Sequence, residues 1–425
     1  MGATMTAKLS AQAMARRLVR VVHLIHSLEP GGAEAVLVDL ARAAPAAGLE
    51  LAVMPLVRPR DERYLAALRE LDVPVLALDL PSRWDVRAFP RSLTLLREWQ
   101  PDVVHTHLKH ADLVGAVGAR TLRLPMVSTL HVVDDGRGAV AGFKRRLAAI
   151  GRLTTAARTI TVSEAQRRWY LDAFPSAHPD RVVTIHNGIA DPGRISAGRP
   201  GSDAVRRSLG IPGDAVVVAQ VGLLREGKGH HDLITALGLL SDIPDLRVLV
   251  VGDGPLRRSL ELACVPVRER LQFTGYRDDV PALLEAADIV VQPSEFDALP
   301  TALIQALAAG LPIVATAVGG IPEIVTPGEG ILVPPRNPVA LARAIRALAV
   351  DRERRAVLGG AARSRFEQGF EATSWAARLR TLYVDVIGDE GQKQVCRAAS
   401  SGPGGVPVRQ EHHTTWEARD TEGVL

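Results

Sequence analysis

The stretch AVVVAQVGLLREGKGHHDLITAL, Ala215 to Leu237, decides the fold. It opens on an almost unbroken apolar run, Ala215 to Val221, which suits a strand buried on both faces of a parallel sheet. A glycine-flanked loop carrying Arg225 and Lys228 follows, and then a helical stretch from His230. Strand, loop and helix in that order make one unit of a doubly wound α/β fold, whose ligands sit at the carboxyl ends of the strands. Arg225 and Lys228 stand where a diphosphate would be held by charge-assisted hydrogen bonds, about 1.5–3 kcal/mol each. A loop lysine is equally an ordinary solvated residue, and this loop alone does not separate the two readings.

The alternation continues in both directions. LRVLVVGDG, ERLQFTGY, ADIVVQPS, LPIVATAVGG and GILVPP read as strands after it, and LVRVVHLI, ELAVMPLV, PVLALDL, PDVVHTH, LPMVSTLH, RTITVS and RVVTIHNGI before it. Between residues 189 and 214 the periodicity stops and Gly, Pro, Ser and Asp cluster. The pattern predicts two doubly wound, Rossmann-like parallel-sheet domains facing a central cleft. The expected division is an extension over 1–17, a first domain over 18–195 and a second over 196–365. From Gly388 onward the chain is polar, Gly-rich and patternless, so 388–425 is expected to be a disordered tail, its His412-His413 pair incidental.

Composition narrows the class. A chain of 425 residues, 47% hydrophobic, can fill two cores, and a net charge of only +4 does not make the basic stripe of a nucleic-acid binder. Lys144-Arg145-Arg146 is the one local basic cluster singled out, either a solvated helix face or a contact with an anionic membrane. The two cysteines, Cys264 and Cys396, lack metal or redox spacing and point to a reducing compartment. No run of eighteen apolar residues and no signal-like apolar region near the start leaves a cytoplasmic location as the expectation.

Four loops or strand ends carry polar candidates. Gly31-Gly32 follows the first strand and opens a helix with an apolar stripe of Val36, Leu37, Leu40 and Ala41. Such a helix start favours an anion by roughly 0.3–1 kcal/mol, although any doubly wound domain needs a tight turn there. VGDGPL, with Gly252 and Gly254, lacks the third glycine of a dinucleotide fingerprint. His105 and His107 alternate on one strand and face one side, but no carboxylate joins them at a convincing spacing, so no metal is expected. His131 closes the strand LPMVSTLH at its carboxyl end, which makes it the best histidine candidate for the cleft.

Taken in order, GGAEAVLVDLA, VSEAQRRWYL, HNGI, GLLREGKG, VGDGPLRRSLE, FTGYRDDVPALLEAADIVVQPS and LPTALIQALAAGLPIVATAVGGIPEIV resemble a retaining glycosyltransferase of the family 4 type, with the two-domain GT-B fold. The resemblance spans roughly residues 18 to 387 and is most specific from Val216 to Pro335. It implies transfer of a sugar from a UDP- or GDP-sugar to a hydroxyl acceptor, lipid-linked or polysaccharide, with no cofactor and no metal. It also implies that 366–387 is a helix crossing back onto the first domain.

Residue by residue, the resemblance places Gly31 and Gly32 by the transferred sugar and phosphates, His131 by the donor sugar, and Lys228 on the diphosphate. Gly222, Gly252 and Gly254 line the donor side, Tyr276 and Arg277 mark the nucleobase region, and Leu299, Pro300 and Thr301 open the helix beside the donor. Three positions depart from the family. Its paired glutamates, eight residues apart, fall on Asp297 and Gln305, and the arginine that usually follows the glycine at Gly222 is Leu223. Arg225 is the candidate substitute for that arginine, and Glu295 an alternative sugar-side carboxylate. Ribose recognition needs acceptors more than charge, and Gln305 keeps an acceptor oxygen. Two rivals stand beside a transferase: a nucleotide-sugar epimerase on the same architecture, and a binding or scaffold protein with a lapsed site.

Overall fold

The computed structural model describes residues 17–29, 31–59, 61–82, 85–107, 109–131, 149–195 and 202–400. The basic cluster at 144–146, the segment 132–148 around it and the residues from 401 onward lie outside these. Two six-stranded sheets organise the chain, and every paired strand in them is parallel.

The first sheet takes β1 (Val19–Ile25), β2 (Leu49–Pro55), β3 (Val103–His107), β4 (Met126–Leu130), β5 (Arg158–Thr161) and β6 (Val182–Thr184) in the order β2-β1-β3-β4-β5-β6. Its helices are α1 (Gly32–Ala43), α2 (Arg63–Glu70), α3 (Ala88–Trp99), α4 (Lys109–Leu122) and α5 (Glu164–Ala173), besides a helical stretch at 149–155. Strand order reverses between β1 and β3, so the loops after those two strands open a crevice at their carboxyl ends. The expected strand PVLALDL does not form a full ladder. It pairs with β2 and the loop beyond through isolated bridges, Val53 to Val75 and Val57 to Leu80, and through the Leu78 N–H, which donates to the Pro55 carbonyl at 3.1 Å. Pro74 offers no N–H and follows a turn at 71–72, which leaves an edge segment rather than a strand.

Beneath this sheet lies a buried charge. Asp112 of α4, 0% exposed, accepts Arg152 Nη1 at 2.8 Å and the hydroxyls of Thr106 and Ser128 at 2.5 and 2.7 Å. Arg152 also donates to the Tyr170 hydroxyl at 3.1 Å. A buried ion pair persists when its remaining polar atoms are also satisfied, as they are here.

The second sheet takes β7 (Val216–Val221), β8 (Leu246–Val251), β9 (Leu271–Gly275), β10 (Ile289–Gln292), β11 (Ile313–Thr316) and β12 (Gly330–Val333) in the order β12-β11-β10-β7-β8-β9. The reversal now falls between β7 and β10, which places the loops 222–229 and 293–300 side by side. In the region expected to join the domains, α6 (Pro192–Ile195) is followed, beyond an undescribed gap, by α7 (Ser202–Ser208). Arg206 of α7 donates to the carbonyls of Ala286 and Ala215 and to Asp288 at 2.8 Å, which fastens it to the second domain. Around this sheet run α8 (His230–Gly238), α9 (Arg257–Ala263), α10 (Val280–Glu285), α11 (Thr301–Ala308), α12 (Ile321–Ile324), α13 (Pro338–Ala349) and α14 (Arg352–Gly369).

The return to the first domain begins later than expected. Phe366 is still inside α14, and the crossing occurs at Phe370-Glu371, where Glu371 bridges to Ile189. The crossing helix is α15 (Ala372–Ser400), which packs on α1 and β1 with Trp375, Leu379 and Tyr383 buried. It corrects the expectation of disorder from Gly388, because the helix continues through Gly388 and Gly391 to Ser400. Extending a packed helix fixes one residue per added bond, so the two glycines weaken it without ending it. Polar ties also join the domains: Arg363 grips Asp191 at 2.6 Å, and Glu323 of α12 accepts the backbone N–H groups of Glu164 and Ala165 at the start of α5. Among the described residues no helix is long and apolar enough to cross a membrane.

Candidate active site

At the second domain's switch point, Lys228 Nζ lies 2.6 Å from Asp297 Oδ2, with 14% and 13% of the two side chains exposed. The same oxygen accepts from Ser294 Oγ at 3.2 Å and lies 3.5 Å from Gln292 Nε2. Gln220 Nε2 holds the Lys228 carbonyl at 2.9 Å, and the Glu295 N–H donates to the Gly227 carbonyl at 2.8 Å, so the two loops are stitched together. Behind Asp297, Gly319 has φ +53, and a Cβ there would stand 1.9 Å from the Asp297 carbonyl oxygen. Only glycine fits that approach.

The other candidates of this domain divide. Gly252 packs so closely that an added Cβ would lie 2.0 Å from the Gly222 oxygen, and one at Gly254 would lie 2.5 Å from the Leu224 oxygen. These glycines shape the Lys228 loop from behind. Arg225 is exposed and its guanidinium makes no hydrogen bond to the described residues, whereas Leu223, 49% exposed, projects an apolar chain from the same loop. Glu295 is engaged elsewhere: Arg336 Nε donates to its Oε2 at 2.8 Å. Its pairing turns it to that surface arginine.

Across the cleft, Gly32 begins α1 and faces the first residue of α11. A Cβ on Gly32 would lie 3.7 Å from Thr301 Oγ1. Two helix N-termini, at Gly31-Gly32 and at Pro300-Thr301 beside Leu299, therefore meet, and both favour an anion. Glu34, in the first turn of α1, has its carboxyl raised to about 7 by burial. Next to this junction is a cavity of about 390 Å³ whose lining includes Gln305, Tyr276, Arg277, Tyr64 and Asp39. The Gln305 amide makes no hydrogen bond to the described residues. Arg277 Nε is turned to Asp279 at 2.7 Å, while Tyr276 is covered by the Arg63 guanidinium of the first domain, 4.5 Å from its ring centre. Burial pushes the Asp39 carboxyl up to about 7, against the opposing pull of the Ala190 N–H and Arg42.

The first domain contributes a row of imidazoles. His23 of β1, His107 of β3 and His131 just past β4 are joined in series, His23 Nδ1 to His107 Nε2 at 2.8 Å and His107 Nδ1 to His131 Nε2 at 2.8 Å. His105 lies stacked on His107, ring centres 4.4 Å apart, with its nitrogens on Tyr383 Oη at 2.6 Å and Thr129 Oγ1 at 2.7 Å. Ligand atoms of His23, His105 and His107 lie within 4.8 Å of one another. The rings stack and bond to hydroxyls and each other, however, and a metal would have to break those bonds to gather the same nitrogens. Burial holds His131 down at about 4 and His23 at about 3, so both stay neutral near pH 7.

The structure thus brings Lys228 to Asp297, and Gln305 to Tyr276. Sequence reasoning misses Ser294, Gln292, Tyr64 and Arg63, which have no motif of their own, and His23, whose link to His107 needs the register of β1 on β3.

Comparison with known proteins agrees with this architecture. The family Glycosyl transferases group 1 matches residues 201–365, and Glycosyltransferase Family 4 matches 30–191. The chain is 32% identical over 314 residues to the D-inositol 3-phosphate glycosyltransferase of Corynebacterium glutamicum, covering 68% of this chain and 73% of that one. It is 29% identical over 356 residues to the 2-deoxystreptamine N-acetyl-D-glucosaminyltransferase of Streptomyces fradiae, covering 76% and 84%. Among solved structures, Anabaena Alr3699/HepE in complex with UDP and glucose is similar in fold, with a TM-score of 0.72 at 23% identity over 90% of this chain and 100% of that one. With both halves matched in order and the GT-B architecture in place, the chain belongs to the family 4 type of group 1 glycosyltransferases.

Proposed function

We propose that this glycosyltransferase moves a hexose from a UDP- or GDP-sugar to a hydroxyl acceptor with retention at the anomeric carbon. The observation that carries the reading is the junction itself. A lysine held by Asp297 stands at the second domain's switch point, and two helix N-termini, one from each domain, meet at Gly32 and Thr301 and favour an anion. A diphosphate leaving group is the ligand such a junction suits. Beside it, the cavity lined by Tyr276 and Gln305 offers a ring face and an acceptor oxygen to a nucleoside.

Charge decides the chemistry. As the anomeric carbon–oxygen bond breaks, negative charge gathers on the diphosphate, and Lys228 and the amides at Gly32 stabilise it without a metal. The acceptor oxygen attacks from the same face, and its proton passes to the departing phosphate oxygen. No carboxylate nucleophile is needed for retention on this route. Arg225, exposed on the loop, is the second cation that reaches the phosphates when the donor is bound.

The acceptor is a lipid-linked or polysaccharide hydroxyl met at the first-domain side of the cleft. The test is turnover with UDP- and GDP-sugars in the presence of EDTA, with the anomeric configuration of the product read by NMR. Inverted product would overturn retention, and donor binding with no turnover on any hydroxyl acceptor would favour the lapsed-site reading raised by Leu223, Asp297 and Gln305.

A further inference from the structure

We propose that His23 and His107 are positioning residues, a hydrogen-bonded imidazole chain that fixes His131 in the Nδ1–H tautomer so that it meets a cleft ligand as a donor. Only the identity of that ligand rests on the transferase reading; the tautomer does not.

Proton placement along the row is tightly constrained. Each neutral imidazole has one N–H and one bare nitrogen, so two bonds among three rings leave only two consistent arrangements. In the first, every Nδ1 carries the proton: His23 donates to His107, His107 donates to His131, and His131 keeps an N–H at Nδ1. In the second, every Nε2 carries it, and the chain donates inward. The inner end distinguishes them. His23 Nε2 is buried and has no hydrogen-bond partner among the described residues. The inward arrangement would leave an N–H there without an acceptor, the rarer defect in folded proteins, whereas the outward one leaves only an unused lone pair. Burial lowers all three rings below the usual histidine range, so the chain stays neutral and the choice is between tautomers.

The surroundings keep the rings in place. His105 spends both nitrogens on Tyr383 and Thr129, and it stacks on His107 and lies tilted 4.8 Å from His23. Tyr383 belongs to α15, so the returning helix braces the row. His131 Nδ1 takes no part in the chain and has no protein partner among the described residues. It is the atom left for a ligand.

The experiment is ¹⁵N–¹H NMR of the full chain labelled in histidine, with the His131 signals assigned by their loss in His131→Gln. The expected wild-type pattern at neutral pH is a protonated Nδ1 and a bare Nε2 on His131. In His107→Phe, His131 loses its donor, and its proton is expected to redistribute to Nε2. In His107→Gln the side-chain amide can donate to His131 and accept from His23, and the wild-type pattern is expected to return. A wild-type His131 protonated at Nε2, or a pattern unchanged in His107→Phe, would overturn the proposal. If His107→Phe does not fold, the wild-type and His107→Gln spectra still decide. With a working donor, kcat is expected to fall about 10- to 100-fold in His107→Phe, the scale for partners that orient a functional histidine, and to recover in His107→Gln. Absent turnover would count against the transferase reading and leave the tautomer result standing.

Discussion

Replacing Lys228 by methionine keeps the aliphatic stem and removes the ammonium, which separates the two things that group does. In the free protein it neutralises Asp297 at 2.6 Å, and both side chains are largely buried. Breaking a fully buried pair costs about 3–5 kcal/mol and an exposed one about 0–1, so this site should lose about 2 kcal/mol. Ser294 and Gln292 still hold the orphaned carboxylate and limit the loss. Toward a diphosphate, the lost charge-assisted hydrogen bond is worth about 1.5–3 kcal/mol, or roughly a 10- to 150-fold weaker Kd for UDP or GDP. Titration calorimetry measures the second effect and urea unfolding the first. Asp297→Asn is the counter-experiment. An ammonium has three donors and can hold a carboxylate and a phosphate together, so removing the carboxylate charge should leave nucleotide affinity equal or higher while stability falls. An unchanged nucleotide Kd in Lys228→Met would refute the assigned role. Equal weakening in both variants would mean that Asp297 serves the nucleotide directly rather than tethering the lysine.

Elsewhere in the molecule, Asp112→Ala leaves Arg152 charged and buried, and should cost about 3–5 kcal/mol in urea unfolding, with Asp112→Asn less severe. Asp39, whose folded pKa of about 7 lies above its unfolded value near 3.8, holds its proton longer in the folded state. Its contribution is full below pH 3.8 and is lost as pH rises toward 7, by up to about 1.4 kcal/mol per unit, and Asp39→Asn should flatten that part of the stability profile. Gly319→Ala must strain a left-handed backbone by about 1–3 kcal/mol and drive a methyl into the Asp297 carbonyl, so nucleotide affinity and melting temperature should fall together. Leu223→Arg adds a cation at an exposed point of the Lys228 loop, and about tenfold tighter nucleotide binding, lost at high salt, is the expected calorimetric result.

How much of this is legible in the sequence depends on the range of the interaction. Near-continuous apolar runs such as Ala215–Val221 dictate buried parallel strands because both faces must be covered, and that rule is local enough to read directly. The exception, PVLALDL, has the right composition but sits at an edge, where Pro74 and only one neighbour leave isolated bridges. Pattern alone puts Lys228 and Asp297 on their loops, yet their contact depends on β7 lying beside β10, a fact of strand order. The same holds more strongly for His23, which looks like one polar residue in an apolar strand until β3 is laid against it in register. Glu295 goes the other way. Proximity to Asp297 in the chain suggests a shared role, but Arg336, 41 residues later, takes its carboxylate.

The three departures from the family pattern are easier to understand together than singly. The resemblance sets an arginine and a lysine against two glutamates on the donor side; this chain sets Leu223 and Lys228 against Asp297 and Gln305. One cation and one anion have gone, and the formal charge of the set is unchanged at zero. Losing the arginine alone would have left a surplus negative charge facing a diphosphate, which repels it. On the proposed reading, losing the glutamate alone would have cost a ribose an ionised acceptor with nothing gained. The remaining opposite charges, Lys228 and Asp297, form a short pair at 2.6 Å. The site therefore trades a broad field for one firmly held lysine. On the proposed reading such a lysine holds a phosphate as a point charge, while Arg225 and the two helix N-termini at Gly32 and Thr301 share the load that the missing arginine would have carried.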